Sequence, residues 1–457
     1  MILSELEKYR DKRIHFIAIG GCSMSGLAMI LNSLGYNITG SDKTEGVFTK
    51  NLEKAGIKFS IGHDADNVLG AGLVIYNAAI KPGNPEYDSA RDLNIPMMDR
   101  ATLLGLLSKE YDRVTCVAGC HGKTTITSMA ALILIEAHLS PVVHVGGMMD
   151  YLSGGVYLGD SDIFLTEACE YVGSFLKLSP KYIILNNIDD DHLDFFKSFE
   201  NIFNAFRQFV GMLPKDGILI ANIDDPHVKK IAENTDKKVY TYSLSGNSDI
   251  AAENIEYDEH GFPSFDFCAY GGRQRIKLNI LGEHNIQNAI AAIALCHFVF
   301  GVELEKCAGA LKSYTLAGRR FEYLGEKNGY KIIHDYAHHP AEIYACLKGL
   351  SKSPHNKLWA VFQCNSYSRA RSLKDKYATC FSYADHVIVP DIFPGRDKDT
   401  GDIYAPDLVE AISKHSDCAY IPTFEEIDEY LTKHARPGDI VVTIGSGTVY
   451  SLSSKLL

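Results

Sequence analysis

The residues best placed to do chemistry gather first at AGCHGKTTIT, from Ala118 to Thr127. Gly119 and Gly122 let backbone N–H groups turn inward around phosphate oxygens, with Cys120 and His121 lying between them in the same loop. Lys123 brings a mobile positive charge for the β and γ phosphates. Thr124 offers a hydroxyl to Mg²⁺, and Thr125 continues into a helix whose N-terminal dipole favours anions. Val117 stands where the first glycine of the longer GxxxxGK[ST] pattern falls, so the loop is the compact form GxxGKTT. A glycine-rich turn with a surface lysine is the plain alternative; an apolar run before the loop and a helical pattern after it favour nucleotide binding.

Two further groups sit where strands should end. Glu167 closes DIFLTEA, and His192 follows YIILNNI within NIDDDHLDFF. Ligands of an α/β sheet collect beyond the carboxyl ends of its strands. A carboxylate there suits Mg²⁺, a hard cation that shares phosphate oxygens. Glu167 is therefore the candidate ligand for an ion beside Thr124. On chemistry alone, His192 among Asp189, Asp190, Asp191 and Asp194 reads as a loop residue in a solvated acidic turn. Nearer the N-terminus, AIGGCSMSG follows an apolar run, and Asp42 lies 22 residues after Gly20. The layout imitates a dinucleotide site, but the GxGxxG frame reads Ala18-x-Gly20-x-x-Ser23, which lacks two of its three glycines. What remains is a backbone nest at a helix start, suited to a diphosphate, or else a structural tight turn.

These groups need strands and helices in alternation, and the sequence supplies three such series. IHFIAIGG, NITGSD and AGLVIYNAA read as strands around the helix MSGLAMILNSLG. RVTCVA, DIFLTEA, YIILNNI and GILIANID form a second series, followed by short strands over 238–280 and the helix GEHNIQNAIAAIALCHFV. YKIIHDYA, KLWAVFQC, HVIVPDIF and DIVVTIGSG form a third. The expected fold is α/β in three domains. Residues 1–108 are Rossmann-like, 109–316 form a P-loop-type ATPase domain with a mostly parallel sheet, and 317–457 are again Rossmann-like. A length of 457 residues, 46% hydrophobic and 22% charged, fits that count. A net charge of −12 argues against a nucleic-acid partner. The charged N-terminal segment and the lack of a long apolar stretch point to a cytoplasmic protein without membrane insertion. The 11 scattered cysteines read as free thiols.

Taken in order, these pieces resemble the Mur ligases of cell-wall precursor synthesis, and within them the branch that adds L-alanine to UDP-N-acetylmuramate. The match runs from His15 to Leu456. IGGCSMSGLA with GSD is similar to the family's uridine-nucleotide loop and AGCHGKTT to its ATP loop. EACEYVGSFLKLSP with NNIDDDHLDFF is similar to its metal region, GEHNIQNAIAA to its adenine-contacting helix, and GRRFEYLG with HDYAHHPAEI to the entrance of its last domain. The resemblance implies ATP and Mg²⁺ as cofactors, UDP-N-acetylmuramate and L-alanine as substrates, and a monomer or weak homodimer. It implies that Lys123 and Thr124 hold ATP phosphate and magnesium, that Glu167 binds a first Mg²⁺ and that His192 binds a second. His284, Asn285 and Asn288 would lie near the adenine and acyl-phosphate region. Arg320 and Asp335 would reach ATP from the third domain. Tyr336, His338, Arg369 and Arg396 would meet the substrates, while Gly20, Gly21, Ser25 and Asp42 hold the uridine diphosphate. Lys123, His192, Arg320 and His338 are the expected catalytic set.

The chain departs from the family pattern in places. QPHxY[ST]R appears as Gln363-Cys364-Asn365-Ser366-Tyr367-Ser368-Arg369, with asparagine in the histidine position. GAGD appears as Gly445-Ser446-Gly447-Thr448; Ala18 replaces a common glycine, and His334 a frequent acid. These departures bear on the choice of amino acid. Other readings are a ligase for another small amino acid or a peptide, a P-loop ATPase or kinase without ligation, and a nucleotide-sugar-binding regulator without turnover.

Overall fold

The computed structural model describes residues 5–149, 151–152, 154–259, 261–315, 321–395 and 397–457, except the side chains of Asp194 and Ser454. Three sheets follow one another along the chain. The first joins β1 (Arg13–Ile17), β2 (Asn37–Asp42), β3 (Lys58–Ile61), β4 (Leu73–Tyr76) and β5 (Met97–Asp99), all parallel, in the order β3-β2-β1-β4-β5. The chain reverses direction across this sheet between β1 and β4, so a crevice opens beyond the end of β1. There β1 stops at Ile17, short of the expected strand, because Ala18 adopts φ 59°. That left-handed conformation costs a residue with a Cβ about 1–2 kcal/mol.

The second series comprises β6 (Arg113–Ala118), β7 (Val142–Met149), β8 (Gly154–Leu158), β9 (Ile163–Glu167), β10 (Tyr182–Leu185), β11 (Ile218–Asn222) and β12 (Lys238–Ser243). Their order is β12-β11-β10-β6-β9-β7-β8, parallel except for the β7–β8 hairpin. Next along the chain come β13 (Ile250–Tyr257), β14 (Pro263–Ala269) and β15 (Gly272–Lys277). The helix Lys123–Glu136 is buried from Thr125 through Leu134, which explains why its sequence is apolar on every face. The third sheet joins β16 (Glu322–Lys327), β17 (Tyr330–Asp335), β18 (Leu358–Phe362), β19 (His386–Val389), β20 (Cys418–Tyr420) and β21 (Ile440–Ile444) in the order β16-β17-β21-β18-β19-β20. Only the β16–β17 pair is antiparallel. Successive residues of these strands enter opposite cores: Ile332, Trp359 and Val441 pack on one face, Ile333, Ala360 and Val442 on the other.

The chain forms two compact units. The first comprises residues 1–251, 269–272 and 288–310; the second comprises 252–268, 273–287 and 311–457. All 11 cysteines are free. Among the described residues, no helix is long and apolar enough to cross a membrane.

Behind the first sheet lies a buried polar cluster that the sequence did not announce. The Glu86 carboxylate, fully buried, accepts from Ser41 Oγ at 2.6 Å and Asn67 Nδ2 at 2.5 Å, and His63 Nδ1 lies 3.1 Å away. His15 Nε2 stands 3.7 Å from it. Burial alone pushes the carboxyl pKa up, but the contacts with His15, Ser41 and Asn67 outweigh it and hold the pKa below its usual value. A carboxylate depressed in the folded state stabilises above its unfolded pKa and loses that contribution as pH falls through the folded value. Glu86→Gln is therefore expected to lower stability at neutral pH and to flatten the decline of stability below pH 4.5, the ordinary value for the group. Urea unfolding of both proteins across pH 3 to 7 checks this.

Candidate functional site

The phosphate loop leaves β6 at Ala118 and enters its helix at Lys123. Gly119 at φ 137° and Gly122 at φ 83° occupy backbone conformations that resist a side chain. Space forbids one as well: a Cβ on Gly122 would lie 2.6 Å from Asn288 Oδ1 and 2.7 Å from Asn186 Nδ2. The loop is held from outside by the residues that follow β10. Asn187 O accepts from Cys120 N at 3.2 Å, and Asn187 Oδ1 from His121 N at 2.7 Å. The amides of Asn186 and Asn187 donate to His121 O at 3.0 and 3.1 Å. Tyr242 OH in turn fixes Asn186 at 2.6 Å. Sequence reasoning counted Asn186 and Asn187 as strand; two adjacent asparagines at a strand end were the available signal for a loop clamp.

Lys123 Nζ donates to Gly119 O at 2.5 Å, to Cys120 O at 3.0 Å and to Glu170 Oε2 at 2.9 Å. Burial by itself favours a neutral amine, yet the Glu170 carboxylate beside it holds the lysine pKa above its ordinary value. The ammonium therefore stays charged inside the loop. Glu170, 1% exposed, belongs to the segment after β9. Its other oxygen, Oε1, is buried without a hydrogen-bond partner among the described residues and lies 3.8 Å from His192 Nε2. Asp191 Oδ2 lies 3.7 Å from the same nitrogen. The three ligand atoms of Glu170, Asp191 and His192 all fall within 4.8 Å of one another.

This grouping corrects the sequence reading at one residue and adds another to it. Asp191, expected in a solvated turn, is 7% exposed and aligned with His192, because the chain turns inward at His192 with φ 54°. The grouping also takes in Glu170, a carboxylate the sequence reading did not single out, three residues beyond Glu167, the ligand expected for a separate ion beside Thr124. Glu167 ends β9 with Oε1 accepting from Gly146 N at 2.7 Å. The two carboxylates of the set fit Mg²⁺, because an orphaned buried carboxylate oxygen beside a second carboxylate is the state a hard cation satisfies, with the His192 imidazole as a softer third donor.

At the first loop, Asp42 Oδ2 accepts from Gly20 N at 2.8 Å, so this acid braces the glycine loop itself. A Cβ on Gly20 would lie 2.9 Å from the same oxygen. Gly21 caps the helix Cys22–Ser33. Ser25 is buried, and its hydroxyl turns back on Cys22 O at 2.9 Å.

The second unit carries its own polar group. Asp335, at the end of β17, accepts from Phe321 N at 2.8 Å and Ala337 N at 2.7 Å. His338 Nδ1 lies 3.1 Å from Tyr336 O and 3.6 Å from Glu342 Oε2. Asn285 is buried and donates to Leu281 O at 2.6 Å, while the ring of His284 faces Phe321. Arg369 N caps onto Ser366 Oγ at 3.3 Å. Three of the departures from the family pattern, Asn365, Ser446 and Thr448, make their hydrogen bonds here. Asn365 Nδ2 donates to Ser446 Oγ at 2.6 Å, and Thr448 Oγ1 donates to Gln363 Oε1 at 3.2 Å. Asn365 and Ser446 thus satisfy each other, and Thr448 is satisfied by Gln363. Arg320 and Arg396 lie outside the described residues.

A glycine–lysine–threonine loop between parallel strand and helix, with a buried carboxylate on its lysine and an imidazole 3.8 Å from that carboxylate, has the geometry of a nucleotide-binding site. Residues 13–112 match the catalytic domain of the Mur ligase family, 117–296 the Mur ligase middle domain and 319–447 the Mur ligase glutamate ligase domain. The chain is 45% identical over 456 residues to the UDP-N-acetylmuramate–L-alanine ligase of Caldanaerobacter subterraneus subsp. tengcongensis, covering 99% of this chain and 98% of that one. It is 44% identical to the corresponding enzyme of Alkaliphilus metalliredigens, covering 100% and 99%. Among solved structures it is similar to the UDP-N-acetylmuramate–alanine ligase of Thermotoga maritima, with a TM-score of 0.80, 26% identity and coverage of 97% and 98%. A murein peptide ligase from Psychrobacter arcticus follows, with a TM-score of 0.72 at 25% identity and coverage of 97% and 98%. The chain belongs to the Mur ligase family.

Glu170→Gln keeps the shape of the side chain and removes both the charge beside Lys123 and one cation ligand. The Mg²⁺ concentration for half-maximal ATP turnover is expected to rise about ten-fold or more, as when metal-site groups are lost elsewhere. A magnesium titration of phosphate release measures it.

Proposed function

We propose that this chain is an ATP-dependent ligase joining L-alanine to the lactyl carboxylate of UDP-N-acetylmuramate in peptidoglycan precursor synthesis. The observation that carries the reading is the Lys123–Glu170 ion pair with His192 behind it, in a chain that matches ligases of that name over its whole length. An amide does not form from a free carboxylate in water, so the carboxylate must first be activated. A lactyl carboxylate oxygen attacks the γ-phosphorus of ATP; the bond to the bridging oxygen breaks, and ADP departs. The amine of L-alanine then attacks the carbonyl carbon of the acyl phosphate, loses a proton, and inorganic phosphate leaves.

Two anions must meet in the first step. Lys123, kept charged by Glu170, leaves the carbonyls of its own loop to contact the phosphates, while the amides between Gly119 and Lys123 receive their oxygens. Glu170, Asp191 and His192, together with Glu167 and Thr124, would hold Mg²⁺, which supplies further positive charge against the phosphate oxygens. Gly20, Gly21 and Asp42 shape the loop for the uridine diphosphate, with Ser25 behind it. Asn288 borders the phosphate loop. His284, Asn285, Asp335 and Arg320 serve ATP, while Tyr336, His338, Arg369 and Arg396 serve the substrates. The working divisions are residues 1–108, 109–316 and 317–457, and the protein acts in the cytoplasm as a monomer or weak homodimer.

A second reading, ligation of glycine, L-serine or a peptide, is favoured by one observation. The Asn365–Ser446 hydrogen bond replaces an imidazole with a smaller polar pair, and discrimination by a small pocket amounts to only about 1–3 kcal/mol. Phosphate release from ATP and Mg²⁺ is expected to require both UDP-N-acetylmuramate and L-alanine, with the adduct seen by mass. Release with another amine instead keeps the ligase and changes its substrate. Lys123→Ala is expected to abolish release while leaving the sugar nucleotide's affinity within about two-fold, since uniform binding lies elsewhere. Loss of both together would sink the two-site assignment.

A further inference from the structure

One buried histidine has no part in the chemistry described so far. His144 lies in the middle of β7, in an otherwise apolar run of Val142, Val143 and Val145, and is 3% exposed. A polar ring in such a place costs stability unless both nitrogens are bonded. Both are. Nε2 lies 3.0 Å from Ser23 Oγ, and Nδ1 lies 3.1 Å from Thr166 Oγ1.

The bonds continue at either end. Arg100 Nη1 donates to Ser23 Oγ at 3.0 Å, and Thr166 Oγ1 donates to Glu167 O at 3.2 Å. Nε2 also lies 3.3 Å from Ser23 O, so either neutral tautomer keeps the ring tied to Ser23 on one side and to Thr166 on the other. Burial, with Arg100 nearby, lowers the His144 pKa to about 4, so the ring is neutral at physiological pH. The strand geometry adds a second grip, because His144 pairs in register with Thr166 and the next but one residue, Gly146, donates to Glu167 Oε1 at 2.7 Å. The opposing helix is cut to fit. A Cβ on Gly26, inside Cys22–Ser33, would lie 3.2 Å from His144 Cδ2. Glycine inside a helix is destabilising relative to alanine, and here it admits the imidazole.

We propose that His144 is a positioning residue that fastens the N-terminus of the first-loop helix to the end of β9, three residues before Glu170, and so fixes the sugar-nucleotide site relative to the carboxylate beside Lys123. The inference rests on the sugar-nucleotide reading of the first loop. It assigns Ser23 and Thr166 to the same fastening, and it explains a histidine in a valine strand by direction: an apolar side chain fills the space but sets no register between loop and carboxylate. Phosphoryl transfer is sensitive to that register, since displacements of about 1 Å at reacting groups cost up to 100-fold in rate.

The test compares His144→Leu with His144→Gln, which retains a donor and an acceptor. The KM for UDP-N-acetylmuramate and the Mg²⁺ concentration for half-maximal turnover are measured with the KM for L-alanine, alongside the urea unfolding midpoint. The expected result is a rise of about ten-fold in both the sugar-nucleotide KM and the Mg²⁺ requirement in the leucine protein. The L-alanine KM should stay within two-fold, and the glutamine protein should recover at least half of the loss. A leucine protein with an altered unfolding midpoint but wild-type values for both would overturn the proposal, as would a glutamine protein no better than leucine. If the leucine protein fails to fold, Thr166→Val is read in the same way against Thr166→Ser. A wild-type protein that shows no affinity for UDP-N-acetylmuramate would overturn the sugar-nucleotide reading and this inference with it.

Discussion

The buried pair between Lys123 and Glu170 is the interaction around which the first unit is arranged. A lysine that must neutralise phosphate has to stay charged in a loop that excludes water, and an isolated buried ammonium would give up its proton. Glu170 prevents this with one oxygen and leaves the other without a hydrogen-bond donor among the described residues. The pair is thus only half satisfied. Its open side faces His192 and Asp191, and the ammonium rests on carbonyls of its own loop, which phosphate oxygens are well suited to replace.

Strand order brings these groups together. β9, β6 and β10 are neighbours in the sheet, so the segments that leave their carboxyl ends emerge side by side. β6 delivers the phosphate loop, β9 delivers Glu167 and Glu170, and β10 delivers Asn186, Asn187, Asp191 and His192. The three stretches are separated by roughly 40 and 20 residues of chain, and the parallel ladder sets them within hydrogen-bonding distance. Strand β7 extends the same sheet and places His144 against the first-loop helix. The tight approaches then account for the glycines that count: Gly122 beneath Asn288 and Gly26 beneath His144.

Much of this was legible in the sequence, for local reasons. Apolar runs of five or six residues bounded by glycine or acid announced the principal strands, because a parallel strand buried on both faces has no alternation to hide in. The compact glycine–lysine–threonine pattern announced the phosphate loop, since backbone conformation and charge are both set within eight residues. The short edge strands β3 and β20 carry weaker patterns, being partly exposed. Glu170 was passed over because Glu167 occupies the more orthodox place at the strand end. Glu170 is buried in the irregular segment that follows β9, where no spacing rule applies. Asp191 was read as solvated because acidic runs usually are; the turn at His192 buries it.

The sequence by itself determined the three α/β series, the nucleotide loop and the charged and polar residues available to a site, because these depend on periodicity and on conformational preferences expressed over a few residues. Only the tertiary structure decided which of those residues meet. Glu170 pairs with Lys123, Asn365 finds Ser446 across 81 positions, and His144 joins Ser23 to Thr166. Such pairings are made by strand register and helix packing between distant segments. A carboxylate, an amide or an imidazole carries the same chemistry wherever it stands; its partner is chosen by the fold.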